Sequence, residues 1–249
     1  MAKFFIFVLG IVLAGVPLSG GELQVSFGPA NYEVEGAGPG GHIWEEKPSY
    51  ENRPYMEVEY QTRFRENPVV HQTYKKFKWQ YLDGQRRAMS NQQIRRRVET
   101  MNVSAGWGWV FPTGLGFELG PILLSQRHRL DDLVGDGRQS HSTVRLGTYF
   151  SSVWFGHRGP WKGEFAGSIG VAGWPDRQSV YSELMLSLAR SLGGGPWSMG
   201  VKYGGVFWQF SRDANLTGNV GSFSDAVVLF KNTETDAKLL MLSVSRRIK

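Results

Sequence analysis

The chain has 249 residues, no cysteine and a formal net charge of +6. Without thiols, disulfides, thiolate catalysis, Cys-ligated metal and a lipid-modified N-terminal cysteine are all excluded. Composition is rich in glycine and aromatics, with 32 Gly, 9 Trp, 9 Tyr and 15 Phe, and mean hydropathy lies slightly below zero. That is wrong for a helical membrane protein and ordinary for a barrel whose strands place only alternate residues in lipid.

The first 21 residues have the layout of a secretory signal peptide. Lys3 supplies a basic start, Phe4 to Val16 is apolar apart from Gly10 and Gly15, and Pro17-Leu18-Ser19-Gly20-Gly21 offers small residues for cleavage. The run is shorter than the ~20 apolar residues of a spanning helix. Residues 1–21 are therefore expected to be a leader and 22–249 a single barrel domain. Export also makes nucleic acid a poor partner despite the positive charge.

In chain order, Leu23, Val25 and Phe27 mark a first strand. The Gly/Pro-rich stretch that follows reads as a long first extracellular loop around residues 30–53. Tyr55 to Arg65 alternates Met56, Val58, Tyr60, Thr62 and Phe64 with Glu57, Glu59, Gln61 and Arg63, and Glu66-Asn67-Pro68 reads as a turn. Val69 to Tyr81 is the least regular strand: its apolar face, with Phe77, Trp79 and Tyr81, also carries His71 and Lys75. A lysine at the bilayer centre costs about 2–4 kcal/mol.

The phase is clearest from Val98 to Phe111, where Met101, Val103, Ala105, Trp107, Trp109 and Phe111 oppose Thr100, Asn102, Ser104, Gly106 and Gly108. Pro112-Thr113-Gly114 turns the chain into Leu115–Arg127, with Leu115, Phe117, Leu119 and Leu123 outward and Glu118 inward. After the polar loop 131–140, the strand 141–156 sends Val144, Leu146, Phe150 and Trp154 outward and Arg145, Tyr149 and Ser151 inward. A turn at His157-Arg158-Gly159-Pro160 precedes Phe165, Ile169 and Val171, which oppose Glu164, Ala166 and Ser168. Val180, Leu184, Leu186 and Leu188 then oppose Tyr181, Glu183 and Met185, and Gly193-Gly194-Gly195-Pro196 is the next turn. Trp197 to Phe207 carries Lys202 inward, a long loop begins at Ser211, and Lys238 to Ile248 closes the chain. This gives about ten strands; Ala226 to Phe230 is either a strand of its own or part of an outer hairpin, so eight and twelve are the alternatives.

Aromatics gather beside the short turns, and short and long connections alternate. Short turns belong to the periplasmic side of such barrels and long loops to the outside. With its closing segment Leu239-Leu240-Met241-Leu242-Ser243-Val244-Ser245-Arg246-Arg247-Ile248, the stretch Val98–Ile248 resembles the small bacterial outer-membrane β-barrels of the broad OmpA-like and OmpW-like kind. Those usually end on an aromatic residue, where this chain ends Ile248-Lys249. The resemblance implies an all-β, antiparallel up-and-down transmembrane barrel in the bacterial outer membrane. Its implied partners are outer-membrane lipid, lipopolysaccharide and the barrel assembly machinery.

Three groups of residues carry candidate chemistry. Glu118, Arg145, Glu164, Glu183 and Lys202, with Glu57, Glu59 and Arg63 of the early strand, face inward. They form either a structural charge network or the lining of a narrow pore. Arg95, Arg96, Arg97, Arg127 and Arg129 form a basic rim at the outer end, either solvated loop charge or a surface for lipopolysaccharide phosphates. In the third group, His141 is a candidate base for Ser142, oriented by Asp136, in an outer-rim hydrolase of lipid or peptide. That loop lacks a lipase-type nucleophile elbow, and an ordinary loop is the competing reading. Five scattered histidines lack metal-ligand spacing, and no cofactor or metal is expected. The same alternation with its faces inverted would describe an exported soluble barrel enclosing a ligand. The girdle and loop asymmetry favour the membrane phase.

Overall fold

The computed structural model of the protein describes residues 20–37, 43–46, 53–62, 64–66, 72–84, 87–88, 94–132, 138–173, 178–216 and 228–248. The fold is all-β. Ten long strands run antiparallel: β1 Gly21–Ala37, β2 Arg53–Thr62, β3 Gln72–Asp83, β4 Ile94–Val110, β5 Leu115–Asp132, β6 Arg138–Arg158, β7 Trp161–Ala172, β8 Ser179–Ser191, β9 Trp197–Leu216 and β10 Val228–Ile248. Each pairs with its neighbours in sequence, and β10 returns to β1 from Gly21↔Ile248 to Ala37↔Asn232, closing the barrel. Closure gives every strand a partner on both sides, which a sheet in hydrocarbon requires.

The register is staggered. A path of paired residues from Gln24 runs through Glu59, Lys78, Ser104, Ile122, Gly147, Ala172, Ser179, Phe210 and Thr233. It meets β1 again at Gly36, 12 residues on (36 minus 24). Such a stagger accompanies a strand tilt of about 35–45° and brings residues distant in register to one height inside the barrel.

Which face meets which solvent follows from exposure. Leu146 is 70% exposed, and Leu184, Leu186, Leu240 and Leu242 lie between 55% and 59%, while Glu57, Glu118 and Glu183 are buried. Large apolar side chains outside and carboxylates inside are the phase of a membrane-spanning barrel, not of a soluble one. Trp107, Trp109, Trp154, Trp161 and Trp197 stand exposed on the outer face towards the tight turns. Gly114 in the β4–β5 turn, Gly159 in the β6–β7 turn, and Gly193 and Gly194 in the β8–β9 turn all take positive φ, which only glycine adopts without strain. Below, that end of the barrel is the turn end and the opposite one the loop end.

Most strands outrun their apolar alternation. β5 continues to Asp132 and β6 starts at Arg138, so 131–132 and 138–140 of the loop expected over 131–140 belong to strands. β9 and β10 extend as a paired hairpin to Leu216↔Val228, which assigns 228–230 to β10. β1 runs to Ala37 and pairs with Ile43–Glu46 where a loop was expected. Hydrogen-bonded ladders continue beyond the band of outward apolar residues because the backbone still needs partners there, whereas the side-chain alternation stops. Of the leader expected over residues 1–21, residues 1–19 lie outside the described residues, and Gly21 is the first residue of β1.

Candidate functional site

The middle of the lumen is crossed by ion pairs. Lys78 on β3 places Nζ 2.6 Å from Glu183 Oε1 on β8, five strands away in either direction round the barrel. Lys202 on β9 donates to Glu57 Oε1 on β2 at 2.6 Å, and Lys78 also lies 3.6 Å from Glu57 Oε2. Lys76 sits 3.3 Å from both Glu59 and Glu164. Gln80 donates its amide to Glu57 and Glu183, each at 2.8 Å, and the Tyr181 hydroxyl lies 2.5 Å from Glu183 Oε2.

Glu118 is held differently. Tyr74 donates to its Oε2 at 3.1 Å, and Tyr149 donates to Oε1. Those rings fit because their neighbours are glycines: a Cβ on Gly108 would stand 2.1 Å from Tyr74 Cζ, and one on Gly106 2.2 Å from the Tyr149 hydroxyl. Three lysines thus face five carboxylates; neutral donors share the oxygens of Glu57 and Glu183 with the lysines and hold Glu118 in their place. This is the condition under which buried charge is tolerable. The space left among these groups is ≈ 30 Å³, room for about two waters.

Towards the loop end the lumen is filled by a mixture of apolar and polar side chains, with Gln126, His128, Thr143, Thr233 and Thr235 buried beside Trp208 and Phe210. The buried apolar cluster begins in the charged layer with Tyr149, Tyr181 and Met185 and continues to Tyr32, Tyr55, Leu82, Ile122, Leu239 and, at 0% exposure, Trp208 and Phe210. Towards the turn end the lumen opens instead into a cavity of ≈ 370 Å³, lined by residues that include Gln61, Phe64, Phe155, His157 and Arg247. Lys162 spans this mouth to Glu22 at 2.7 Å. The lumen is therefore a vestibule, then a charged layer, then a plug of buried apolar and polar side chains.

Of the expected inward charges, Glu164, Glu183 and Lys202 join the network, and Glu118 lines the same space on its tyrosines. Arg145 stands apart: it pairs in register with Leu124, beyond the charged layer, and its Nε has no hydrogen-bond partner among the described residues. At the loop end, Arg97 forms a two-point pair with Asp83 and lies 3.4 Å from Glu99, while Arg129 reaches Glu99 at 3.2 Å. Arg127 reaches Ser140 Oγ at 3.4 Å. The side chains of Arg95, Arg96 and His141, and Asp136 altogether, lie outside the described residues. Ser142 is exposed on the outer face, opposite Arg127 in register.

Sequence reading did not single out Lys76, Lys78 and Gln80, three of the network's donors. Their signal was present: they alternate with Phe77, Trp79 and Tyr81. What obscured it was Lys75 on the apolar face. Lys75 is the fourth residue of β3, opposite Trp107 in the turn-end girdle, not at the bilayer centre. A lysine there extends its ammonium to the interface.

No protein-family model matches the chain, and no curated protein matches it in sequence. Among solved structures it is similar to Ail, the attachment invasion locus protein of Yersinia pestis, at 12% identity and TM-score 0.39, covering 92% of this chain and 99% of that one. It is also similar to the beta domain of the Bordetella autotransporter BrkA, at 12% identity and TM-score 0.41, over 92% and 99% of the two chains. Neisserial surface protein A is similar at 9% identity and TM-score 0.37, over 92% and 97%.

Proposed function

We propose that this protein is an integral barrel of the bacterial outer membrane, with its tight turns in the periplasm, whose role is structural or surface-interacting and not that of a pore. The observation that carries this reading is the strut Lys78–Glu183 across the full width of the lumen, backed by the buried side chains around Trp208 and Phe210 towards the loop end. An ion entering from the turn end would meet lysines and carboxylates already paired with one another, then a layer filled by buried side chains such as Trp208, Phe210 and Ile122. The narrow-pore reading needs a continuous wetted path, and these two layers interrupt it.

Nor does the loop-end rim favour lipopolysaccharide binding through Arg97 and Arg129, because Asp83 and Glu99 already occupy their guanidinium groups. The test is reconstitution of the mature chain in planar bilayers. Barrel insertion, read as a heat-dependent shift in gel mobility, should come with no steady unit conductance. A stable ohmic channel from the wild-type protein would refute the closed-lumen reading.

A further inference from the structure

At the turn end, two arginines that form no ion pair among the described residues sit instead on tryptophan rings. Arg190 on β8 sits over the Trp161 ring of β7, its Cζ 5.5 Å from the centroid, and Arg246 on β10 sits over Trp197 of β9 at 5.2 Å. Both are direct cross-strand pairs, so the same two-residue unit occurs twice on the outer face at the turn end. Arg158 flanks Trp161 from β6.

The two tryptophans are 44% and 45% exposed, which puts their rings at the surface and not in a core. Along the described outward positions of β6 to β10, the carboxylates are Glu234 and Asp236, both at the loop end. A guanidinium stacked on an indole is held in place by the ring's electron-rich face while its N–H edge stays free. That edge matches two oxygens of a phosphate. At the loop end the corresponding edge of Arg97 is already closed by Asp83.

We propose that the turn-end rim binds the phosphodiester headgroups of anionic phospholipids, with Trp161/Arg190 and Trp197/Arg246 as two equivalent contact units and Arg158 extending the first. The inference rests on the barrel spanning a bilayer with these rings at its interface. It makes the periplasmic leaflet, not the outer surface, the lipid-selective side of the protein.

The experiment compares the full mature chain in vesicles of phosphatidylcholine alone and of phosphatidylcholine with phosphatidylglycerol at three to one, reading the midpoint of the heat-dependent mobility shift. The midpoint should be higher in the mixed vesicles. Replacing Arg158, Arg190 and Arg246 together by Gln should abolish that difference between the two vesicles. If this variant does not fold, the Arg190→Lys/Arg246→Lys variant, which keeps the charge and loses the fork, should show a smaller difference than wild type. The proposal is overturned if the difference survives the substitutions, if Arg97→Gln/Arg129→Gln at the loop end removes it equally, or if inorganic phosphate added to the phosphatidylcholine vesicles reproduces it. Absence of a mobility shift in both vesicles would instead overturn the barrel reading, and this proposal with it.

Discussion

Lys78 and Glu183 stand at opposite ends of one barrel diameter and meet with Nζ 2.6 Å from Oε1, their side chains 13% and 1% exposed. A pair in that position braces the wall from within and fills the bore at once. Removing Lys78 leaves Glu183 buried without its counter-ion, and removing Glu183 leaves Lys78 only the longer contact of 3.6 Å to Glu57, at a cost of up to about 3–5 kcal/mol. Glu183→Leu and Lys78→Met should each lower the urea midpoint of unfolding from lipid vesicles. The Lys78→Met/Glu183→Leu double variant should recover most of the loss, because two apolar side chains replace the pair without stranding an ion. A double variant as unstable as the sum of the singles would show that the two residues do not act as a pair.

Trp208 and Phe210 close the loop end independently of that strut. Deleting a buried aromatic side chain costs about 3–5 kcal/mol, so Trp208→Ala should be markedly less stable than wild type. It should nevertheless remain silent in planar bilayers, since the charged layer is intact below it. The two closures stand in series, and steady conductance is expected only when Trp208→Ala is combined with Lys78→Ala/Glu183→Ala. A channel formed by Trp208→Ala alone would mean the ion pairs do not seal the lumen.

Leu186 lies mid-strand on β8 and is 55% exposed on the outer face. In hydrocarbon, Leu186→Arg should cost about 2–4 kcal/mol, against roughly 0–1 for an arginine near the interface, where Arg190 of the same strand already stands. The check is the folded fraction after refolding into vesicles, judged by heat-dependent mobility. Full refolding of Leu186→Arg would place that face in water and restore the soluble reading.

How much of this was legible in the sequence depends on the distance over which each feature is set. The outer face was legible because a strand repeats every two residues and lipid imposes one requirement along its whole length. Val103, Trp107, Leu184 and Leu242 needed no partner to be placed. Lys78 and Glu183 were legible as inward-facing by the same alternation, but their meeting is fixed by a stagger of pairing accumulated over five strands, which no local pattern contains. The apolar side chains of the plug were missed because an inward position was expected to be small or polar. Their trace is the run Val206-Phe207-Trp208-Gln209-Phe210, where both faces turn apolar together. The long loop-end ladders were missed for the opposite reason: outside lipid, strands persist with no side-chain period to reveal them.

The glycines facing Glu118 give the sharpest test of side-chain fit. In most strand positions Gly→Ala is favourable or neutral, because it reduces the freedom of the unfolded chain. Gly163 is such a position, with no heavy atom nearer than 4.0 Å to a built Cβ, and Gly163→Ala should be neutral or slightly stabilising. Gly108→Ala should behave oppositely: its Cβ would fall inside the Tyr74 ring, displacing the hydroxyl that donates to Glu118. Overpacking of that kind costs about 1–3 kcal/mol, read again as a drop in the urea midpoint. If the ring is the cause, the cost must vanish in a Tyr74→Ala background, where Gly108→Ala meets open space. If it persists there, the strain belongs to the β3–β4 backbone, and Tyr74 is not what requires glycine at position 108.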